Sequence, residues 1–144
     1  MITVTITGNL TDDPRSFSTR DGQPGCELRV AVDLPPRGGS GEGPTRYFKV
    51  VTFGVMAEHA AASVCKGDRV TVQGYDLTSE AWVNDAGEPR SKVSIRALEI
   101  AVSLRWDTLT TGRAVRNAAR AAAKAADPQV QAENAVLAGV TTTG

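Results

Sequence analysis

The chain has 144 residues, the size of one ordinary domain, and its 16 lysines and arginines balance 16 aspartates and glutamates. Because the formal net charge is zero, binding of nucleic acid by bulk positive charge is excluded, and any such site has to be a local patch. Two cysteines and one histidine are too few for the usual zinc-site spacings, so neither a metal nor another cofactor is expected.

The sequence carries no signal for a membrane or for secretion. No apolar run reaches the roughly 18 residues of a membrane span, and the N-terminus alternates like a strand instead of resembling a signal peptide. We therefore expect a cytoplasmic protein in which the thiols of Cys26 and Cys65 stay reduced.

Alternation of apolar and polar residues predicts the first strands. Residues 2–7 place isoleucine and valine on one face and threonine on the other, and residues 28–34 direct their even positions toward the core. Seven of the ten residues 35–44 are glycine or proline, which predicts a long mobile loop. A third strand is expected over residues 46–53.

The next segments predict one helix and a long hairpin. Residues 55–65 carry a narrow apolar stripe at helical spacing. Residues 69–104 form two alternating runs with a turn signal near 83–90, and a change of phase predicts a bulge near Gly74 to Asp76. Five strands with one helix between the third and the fourth match an all-β OB-fold, a five-stranded Greek-key barrel.

Beyond the last strand the composition changes to mostly alanine. Basic residues recur at spacings of three and four, which predicts a helix over 113–126 with one basic face formed by Arg113, Arg116, Arg120 and Lys124. Asp127-Pro128 should end this helix, and residues 128–144 are expected to be disordered. The chain is thus divided into a barrel domain, residues 1–108, and a helical or disordered tail, residues 109–144.

The sequence offers little for catalysis. His59 lies within the predicted helix, where a solvated or partly packed side chain is the more common case, and neither cysteine has a flanking nucleophile motif. The glycines of the loop lack the lysine and the helix start of a phosphate-binding loop. We therefore do not expect an enzyme.

Aromatic and basic side chains on the strands predict a binding face. Tyr47, Lys49 and Phe53 share the strand face opposite Phe48 and Val50. Trp82 points outward from the hairpin, and further cations lie nearby, namely Arg29, Arg46, Lys66, Arg90 and Lys92. Such a face suits unpaired nucleobases, which stack on aromatic rings while cations follow the phosphates. Taken singly, an aromatic residue in a strand is more often a core or subunit-interface residue, and a cation is as often a solvated surface charge as a phosphate contact. The grouping of Tyr47 and Phe53 with Lys49 favours the binding face.

The sequence resembles the bacterial single-stranded DNA-binding protein family from its N-terminus to about Leu104. The matching stretches are Gly8-Asn9-Leu10 with Asp13-Pro14, Leu28-Arg29-Val30-Ala31, the run from Tyr47 to Gly54 with Ala57-Glu58, Lys66-Gly67-Asp68, and Gly74. The resemblance implies an OB-fold homotetramer that wraps single-stranded DNA without sequence preference. It also implies a role at the nucleoid, where the protein would protect DNA during replication, recombination and repair.

The resemblance assigns expected roles to individual residues. Base-stacking aromatics of the family fall at Tyr47, Phe53 and Trp82, and a phosphate-binding lysine falls at Lys66. Together with the neighbouring cations, the expected DNA-binding set is Tyr47, Phe53, Trp82, Lys49, Arg29, Lys66 and Arg90. Residues 103–108 resemble the segment that follows the barrel in actinobacterial members and helps to clamp subunits together, so Trp106 is expected at a subunit interface.

Two departures from the family pattern modify these expectations. Pro35-Pro36 occupy a place where a further stacking aromatic is expected. The chain ends in Val140-Thr141-Thr142-Thr143-Gly144 instead of an acidic, hydrophobic-tipped tail, so recruitment of protein partners through a tail tip is not expected. A specialised paralogue and a phage-encoded version both fit this ending. The basic helical face either adds DNA contacts or is simply solvated.

Two other functions stay open from the sequence. The protein could be an OB-fold interaction module that has lost most of its nucleic-acid affinity, which the zero net charge and Pro35-Pro36 favour. It could also prefer RNA, because stacking on aromatics does not test for the 2′-hydroxyl.

Overall fold

The structure, a computed structural model, describes residues 1–141. This part of the chain contains six strands and three helices. In chain order they are β1 (Thr3–Leu10), β2 (Arg15–Ser18), β3 (Pro24–Asp33), β4 (Thr45–Phe53), α1 (Val55–Ser63), β5 (Arg69–Val83), β6 (Pro89–Val102), α2 (Gly112–Ala126) and α3 (Pro128–Thr141).

The strands form one sheet in the order β1-β5-β6-β4-β3-β2, which closes on itself because β1 also pairs with β3 at Asn9–Ala31 and Leu10–Val30. All pairings are antiparallel except β4 with β6. The predicted OB-fold is confirmed, but the sheet has six strands, and the helix lies between β4 and β5. The prediction missed β2, which has only four residues and pairs with β3 alone.

A glycine allows the barrel to close. At Gly8, a Cβ atom would collide with the backbone carbonyl of Ala31 on β3. Because only a residue without a side chain lets two strands approach so closely, Gly8 is required where β1 turns from β5 toward β3.

The core includes the predicted even positions of β1 and β3, except for Ile2 and Leu34, which are exposed. Val30, Val50, Val70 and Val72 have no exposed surface, and they pack with Leu28 and Ile95 inside the barrel. Helix α1 contributes the buried residues Ala57 and Ala60 and contacts β3 and β4. Residues that alternate with this core on β3 and β4 therefore face outward, where a binding site can form.

The predicted hairpin and its bulge are confirmed. β5 and β6 pair from Val70–Val102 to Val83–Pro89, with register shifts at Gln73/Gly74 and Tyr75/Thr78. Beyond the shifts the hairpin extends away from the core, so Leu77, Val83 and Trp82 are all exposed. Leu34, expected on the core side of its strand, is also exposed, because β3 ends one residue earlier.

The chain after the barrel forms a separate unit. Contacts divide the chain into a unit of Met1–Arg105 and a second unit that begins at Trp106 and contains α2 and α3. The Thr111 hydroxyl accepts a hydrogen bond from the Ala114 N–H at the start of α2. No helix within residues 1–141 is long and apolar enough to span a membrane.

The expected disorder after Asp127 is wrong over residues 128–141, which form α3. The Asp127 carboxylate accepts a hydrogen bond from the Gln129 N–H at 3.0 Å, and Pro128 occupies the first helical turn. Asp-Pro therefore ends one helix and starts the next, because proline suits a first turn and aspartate suits the position before it. Residues 142–144, also expected to be disordered, lie outside the described residues.

Candidate nucleic-acid interface

Strand β4 places the predicted aromatic and basic side chains on the outside of the barrel. Val50 and Thr52 point inward and are buried, whereas Tyr47, Lys49 and Phe53 lie on the opposite face. Tyr47 is 68% exposed, which is unusual for a large ring that serves only in packing. The parity predicted from the sequence is confirmed.

A surface groove brings Tyr47 and Trp82 together. It has a volume of about 560 Å³ and lies between β3, β4 and the outer part of the hairpin. Trp82, itself 47% exposed, belongs to this lining although it is 35 residues from Tyr47 along the chain. We call this site the aromatic groove and define it by the residues Tyr47, Trp82, Arg29, Lys49, Lys92 and Glu27.

A second depression, of about 290 Å³, continues from the first and contains Phe53. Lys49 and Lys92 line both depressions and so connect them. The Phe53 ring meets Phe17 edge to face at 5.9 Å between centroids, and the Arg96 guanidinium lies 4.8 Å from its centre. Phe53 is therefore half-buried, and one face of its ring already has a cation over it.

Phe17, Arg96 and Tyr75 form a cluster with Phe53 that the sequence analysis did not predict. Arg96 also lies 5.8 Å from the centre of the Tyr75 ring, so one guanidinium contacts two aromatic rings. Phe17 belongs to the missed strand β2, which explains why its contact with Phe53 was not expected. Arg96 alternates with the buried residues Ile95 and Ala97 on β6, and that alternation was the available signal for an outward cation.

Glu27 is the buried charge at the floor of the aromatic groove. Its side chain is only 8% exposed, and one carboxylate oxygen lies 3.0 Å from Lys49 Nζ and 3.1 Å from Arg15 Nη2. The other oxygen lies 3.8 Å from Arg29 Nε. Burial by itself raises the pKa of Glu27, but the hydrogen bond and charge of Lys49 and the charge of Arg15 outweigh it, so the pKa is lowered. The sequence reasoning did not single out Glu27.

The remaining predicted cations lie at different distances from the groove. Arg90 is directly opposite Trp82 in the hairpin and pairs with Glu88 at 2.9 Å, so it lies beside the ring and outside the groove lining. Lys66 lies in the turn after α1 and lines neither depression. Its backbone N–H donates to the Asp13 carboxylate at 2.9 Å, which ties this turn to the segment between β1 and β2.

The two thiols show no activation toward nucleophilic chemistry. Cys26 is buried, and burial together with the charge of Glu27 raises its pKa. Cys65 is exposed, and the neighbouring Asp68 carboxylate raises its pKa. A raised pKa disfavours the thiolate that a nucleophile requires. Within residues 1–141, His, Cys, Asp and Glu side chains form no group of three that could hold a metal ion.

Comparisons with known proteins agree with the fold. A model of the single-strand binding protein family matches residues 1–103. A single-stranded DNA-binding protein of Thermotoga maritima is 34% identical over 89 residues, which are 60% of this chain and 62% of that protein. The aligned region thus spans less than two thirds of the length of that relative.

Actinobacterial relatives and a solved structure cover more of the chain. Single-stranded DNA-binding protein 2 of Tropheryma whipplei is 32% identical over 73% of this chain and 70% of its own. The single-stranded DNA-binding protein of Paenarthrobacter aurescens is 31% identical over 80% of this chain and 69% of its own. The crystal structure of a small single-stranded DNA-binding protein from Streptomyces coelicolor superimposes with a TM-score of 0.60 at 28% identity, covering 72% of this chain and 94% of that one. The family match over the whole barrel, together with these relatives, shows that the chain belongs to the single-strand binding protein family.

Proposed function

We propose that the protein binds single-stranded DNA without sequence preference in the aromatic groove. The single observation that carries the proposal is the meeting of two exposed rings, Tyr47 and Trp82, with Arg29, Lys49 and Lys92 in one open depression. Each ring offers a flat apolar face to an unpaired base, and the three cations contact the phosphates between bases. The role is one of binding, with no reaction assigned to any residue.

Stacking supplies the affinity and explains the lack of sequence preference. A base stacked on an aromatic side chain contributes roughly 1–3 kcal/mol, and every base has such a face. The groove walls carry charged and hydroxyl groups that reach phosphates, so recognition rests on shape and charge. Duplex DNA keeps its bases stacked on each other, and for that reason we expect it to bind weakly.

Phe53 is proposed as a third stacking position, at the far end of the path that Lys49 and Lys92 connect. Because the Arg96 guanidinium lies over one face of the Phe53 ring, a base that stacks on that face has to displace Arg96. Arg96 would then be available to a phosphate. Lys66 and Arg90 are proposed as outer phosphate contacts that extend the path beyond the groove.

The assembly and the cellular role are proposals as well. We propose a homotetramer in which Trp106, which is 75% exposed in the single chain, lies at a subunit interface. We also propose that the protein acts at the cytoplasmic nucleoid and protects single strands during replication, recombination and repair. Light scattering tests the assembly: four chain masses are expected, and a monomer would contradict it.

A direct experiment tests the proposed function. Fluorescence anisotropy of a labelled oligo-dT is measured with the full chain at two salt concentrations, next to a duplex of the same length. We expect saturable binding of the single strand that weakens as salt rises, because cations of the groove release counterions from phosphates. Absence of binding at low salt by the folded protein would contradict the proposal.

One observation favours a second candidate, an OB-fold interaction module with weak or RNA-directed binding. The cations of the aromatic groove all lie near carboxylates: Arg29 near Asp12 and Glu27, Lys49 near Glu27, and Lys92 near Glu80. Such pairing reduces the positive potential offered to a phosphate. Competition between oligo-dT and oligo-U in the same assay separates DNA-directed from RNA-directed binding: weaker competition by oligo-U supports the first candidate, and stronger competition by oligo-U supports the second.

A further inference from the structure

Glu27 is a buried carboxylate in the middle of the face proposed to bind a polyanion. The strand register puts it there: Glu27 on β3 is directly opposite Arg15 on β2, and Arg29 on β3 is directly opposite Lys49 on β4. Residues paired in this way, together with their diagonal neighbours, have their side chains on the same face of the sheet. The register thus gathers three cations around one carboxylate.

The Glu27 carboxylate already makes with Lys49 the kind of contact that an arriving phosphate would make. Lys49 Nζ lies 3.0 Å from Glu27 Oε2, and Arg15 Nη2 lies 3.1 Å from the same oxygen. Both distances lie within the range of N–H···O hydrogen bonds, and a phosphate oxygen makes the same kind of contact to lysine and arginine. An arriving phosphate has to share Lys49 with Glu27 or displace it, and it meets a like charge in either case.

Glu27 also differs from the other carboxylates around the groove. It is 8% exposed, whereas Asp12, Glu80 and Glu88, which pair with Arg29, Lys92 and Arg90, are more than half exposed. Exposed pairs open readily and are screened by salt. Glu27 is already desolvated, is fixed on a central strand, and uses both of its oxygens. The fold therefore holds the Glu27 carboxylate in a position where it competes with a ligand for the cations.

We propose that Glu27 is an internal counter-anion that competes with DNA phosphates for Lys49, Arg15 and Arg29 and thereby limits the affinity and the salt dependence of single-strand binding. This inference rests on the proposed function of the aromatic groove. Glu27 is thus an affinity-determining residue that holds three cations in place in the free protein and opposes the ligand in the complex. Binding then depends more on stacking and less on charge.

The substitution Glu27→Gln tests the proposal, because the amide keeps the shape and an acceptor oxygen but removes the charge. In the oligo-dT anisotropy assay we expect affinity at low salt to rise roughly five-fold, the size of removing one like charge near a phosphate in a wet groove. The slope of log affinity against log salt should steepen by about 0.7, which corresponds to one more phosphate contact on a single strand.

Matched variants separate this effect from a general change of charge. Glu88→Gln removes an exposed carboxylate at the hairpin turn, and we expect it to change affinity by less than about two-fold. In the double variant Glu27→Gln with Lys49→Met, the increase in the slope of log affinity against log salt should disappear, because the Lys49 ammonium group that Glu27→Gln releases is absent. Glu27→Thr, which suits a strand, gives a second neutral variant if the glutamine variant is poorly folded.

The outcomes distinguish this inference from the proposed function. If the wild-type protein binds oligo-dT and the folded Glu27→Gln variant binds equally or less well with the same salt slope, the competition is refuted and the proposed function stands. If only the variant binds, the competition is supported, but the proposed function of the wild-type protein is contradicted. If neither folded protein binds oligo-dT at low salt, both the proposed function and the competition are overturned.

Discussion

At the scale of single residues, exposure decides which aromatic rings are free to meet a ligand. Tyr47 and Trp82 are exposed, whereas Phe53 packs against Phe17 and has the Arg96 guanidinium over one face of its ring. The outward face of β4 could be predicted from its alternation alone. The packing of Phe17 and Arg96 against Phe53 could not be predicted, because these residues come from β2 and β6. Contacts between distant strands leave no local pattern in a sequence.

The aromatic variants test these different environments. Tyr47→Ala and Trp82→Ala should weaken oligo-dT binding by roughly 5- to 150-fold, the equivalent of about 1–3 kcal/mol per stacked base, with little change in stability. Val83→Ala, an exposed neighbour of Trp82, serves as the control and should bind like the wild type. If the folded Tyr47→Ala and Trp82→Ala variants bind oligo-dT with the same affinity as Val83→Ala and the wild type, stacking on these rings is refuted.

Phe53→Ala should behave differently from the other two aromatic substitutions. It removes an edge-to-face contact with Phe17 and a half-buried ring, so we expect it to lower the free energy of unfolding by about 2 kcal/mol as well as to weaken binding. Urea denaturation gives the stability. A variant as stable as the wild type would show that the Phe17 contact contributes nothing.

The lowered pKa of Glu27 makes a prediction about acid stability. A carboxyl group with a lower pKa in the folded state stabilises the protein above the unfolded pKa, near the ordinary value of 4.5, and loses this contribution as pH falls through the folded pKa. We expect Glu27→Gln to cost about 1 kcal/mol at pH 7 and much less near pH 3, by chemical denaturation. The same cost at both pH values would contradict the assignment.

At the scale of elements, two close approaches shape the barrel and its long hairpin. Gly8 lets β1 pass from β5 to β3, and Gly74 stands at a register shift where a Cβ atom would meet Ile95 and the Arg96 carbonyl. The bulge was predictable because the apolar phase changes along the strand. β2 is not predictable, since four residues are too short to show a period. The start of α3 is not predictable from Asp-Pro alone, because this pair is also a helix stop signal.

Gly8→Ala tests the closure of the barrel. The added methyl group meets the Ala31 backbone, which cannot move away as a flexible side chain can, so we expect a loss of about 2 kcal/mol or more. Gly112→Ala is the matched control, because there the new Cβ meets only the flexible end of Arg116, and alanine favours a helix. Similar stabilities of the two variants in urea denaturation would argue against a tight seam at Gly8.

At the scale of the whole molecule, the buried core lies entirely within the barrel. All buried hydrophobic residues of the described chain fall between Ile6 and Ala97. We propose that residues 1–108 form the folded domain and residues 109–144 a tail. A chain that ends at Thr108 should unfold cooperatively at nearly the wild-type midpoint in thermal circular dichroism. A midpoint lowered by more than about 10 °C, beyond what a loss of 1 kcal/mol produces in such a domain, would show that the tail supports the barrel.

The measurement that tests the central claim most directly is the emission of Trp82 during titration with oligo-dT. Trp106→Phe leaves Trp82 as the only tryptophan of the chain, so the signal comes from the aromatic groove alone. We predict saturable quenching of this emission with a midpoint that moves to higher oligo-dT concentration as salt rises, because a stacked base contacts the indole while phosphates engage the cations. Binding of oligo-dT with unchanged Trp82 emission would contradict the account.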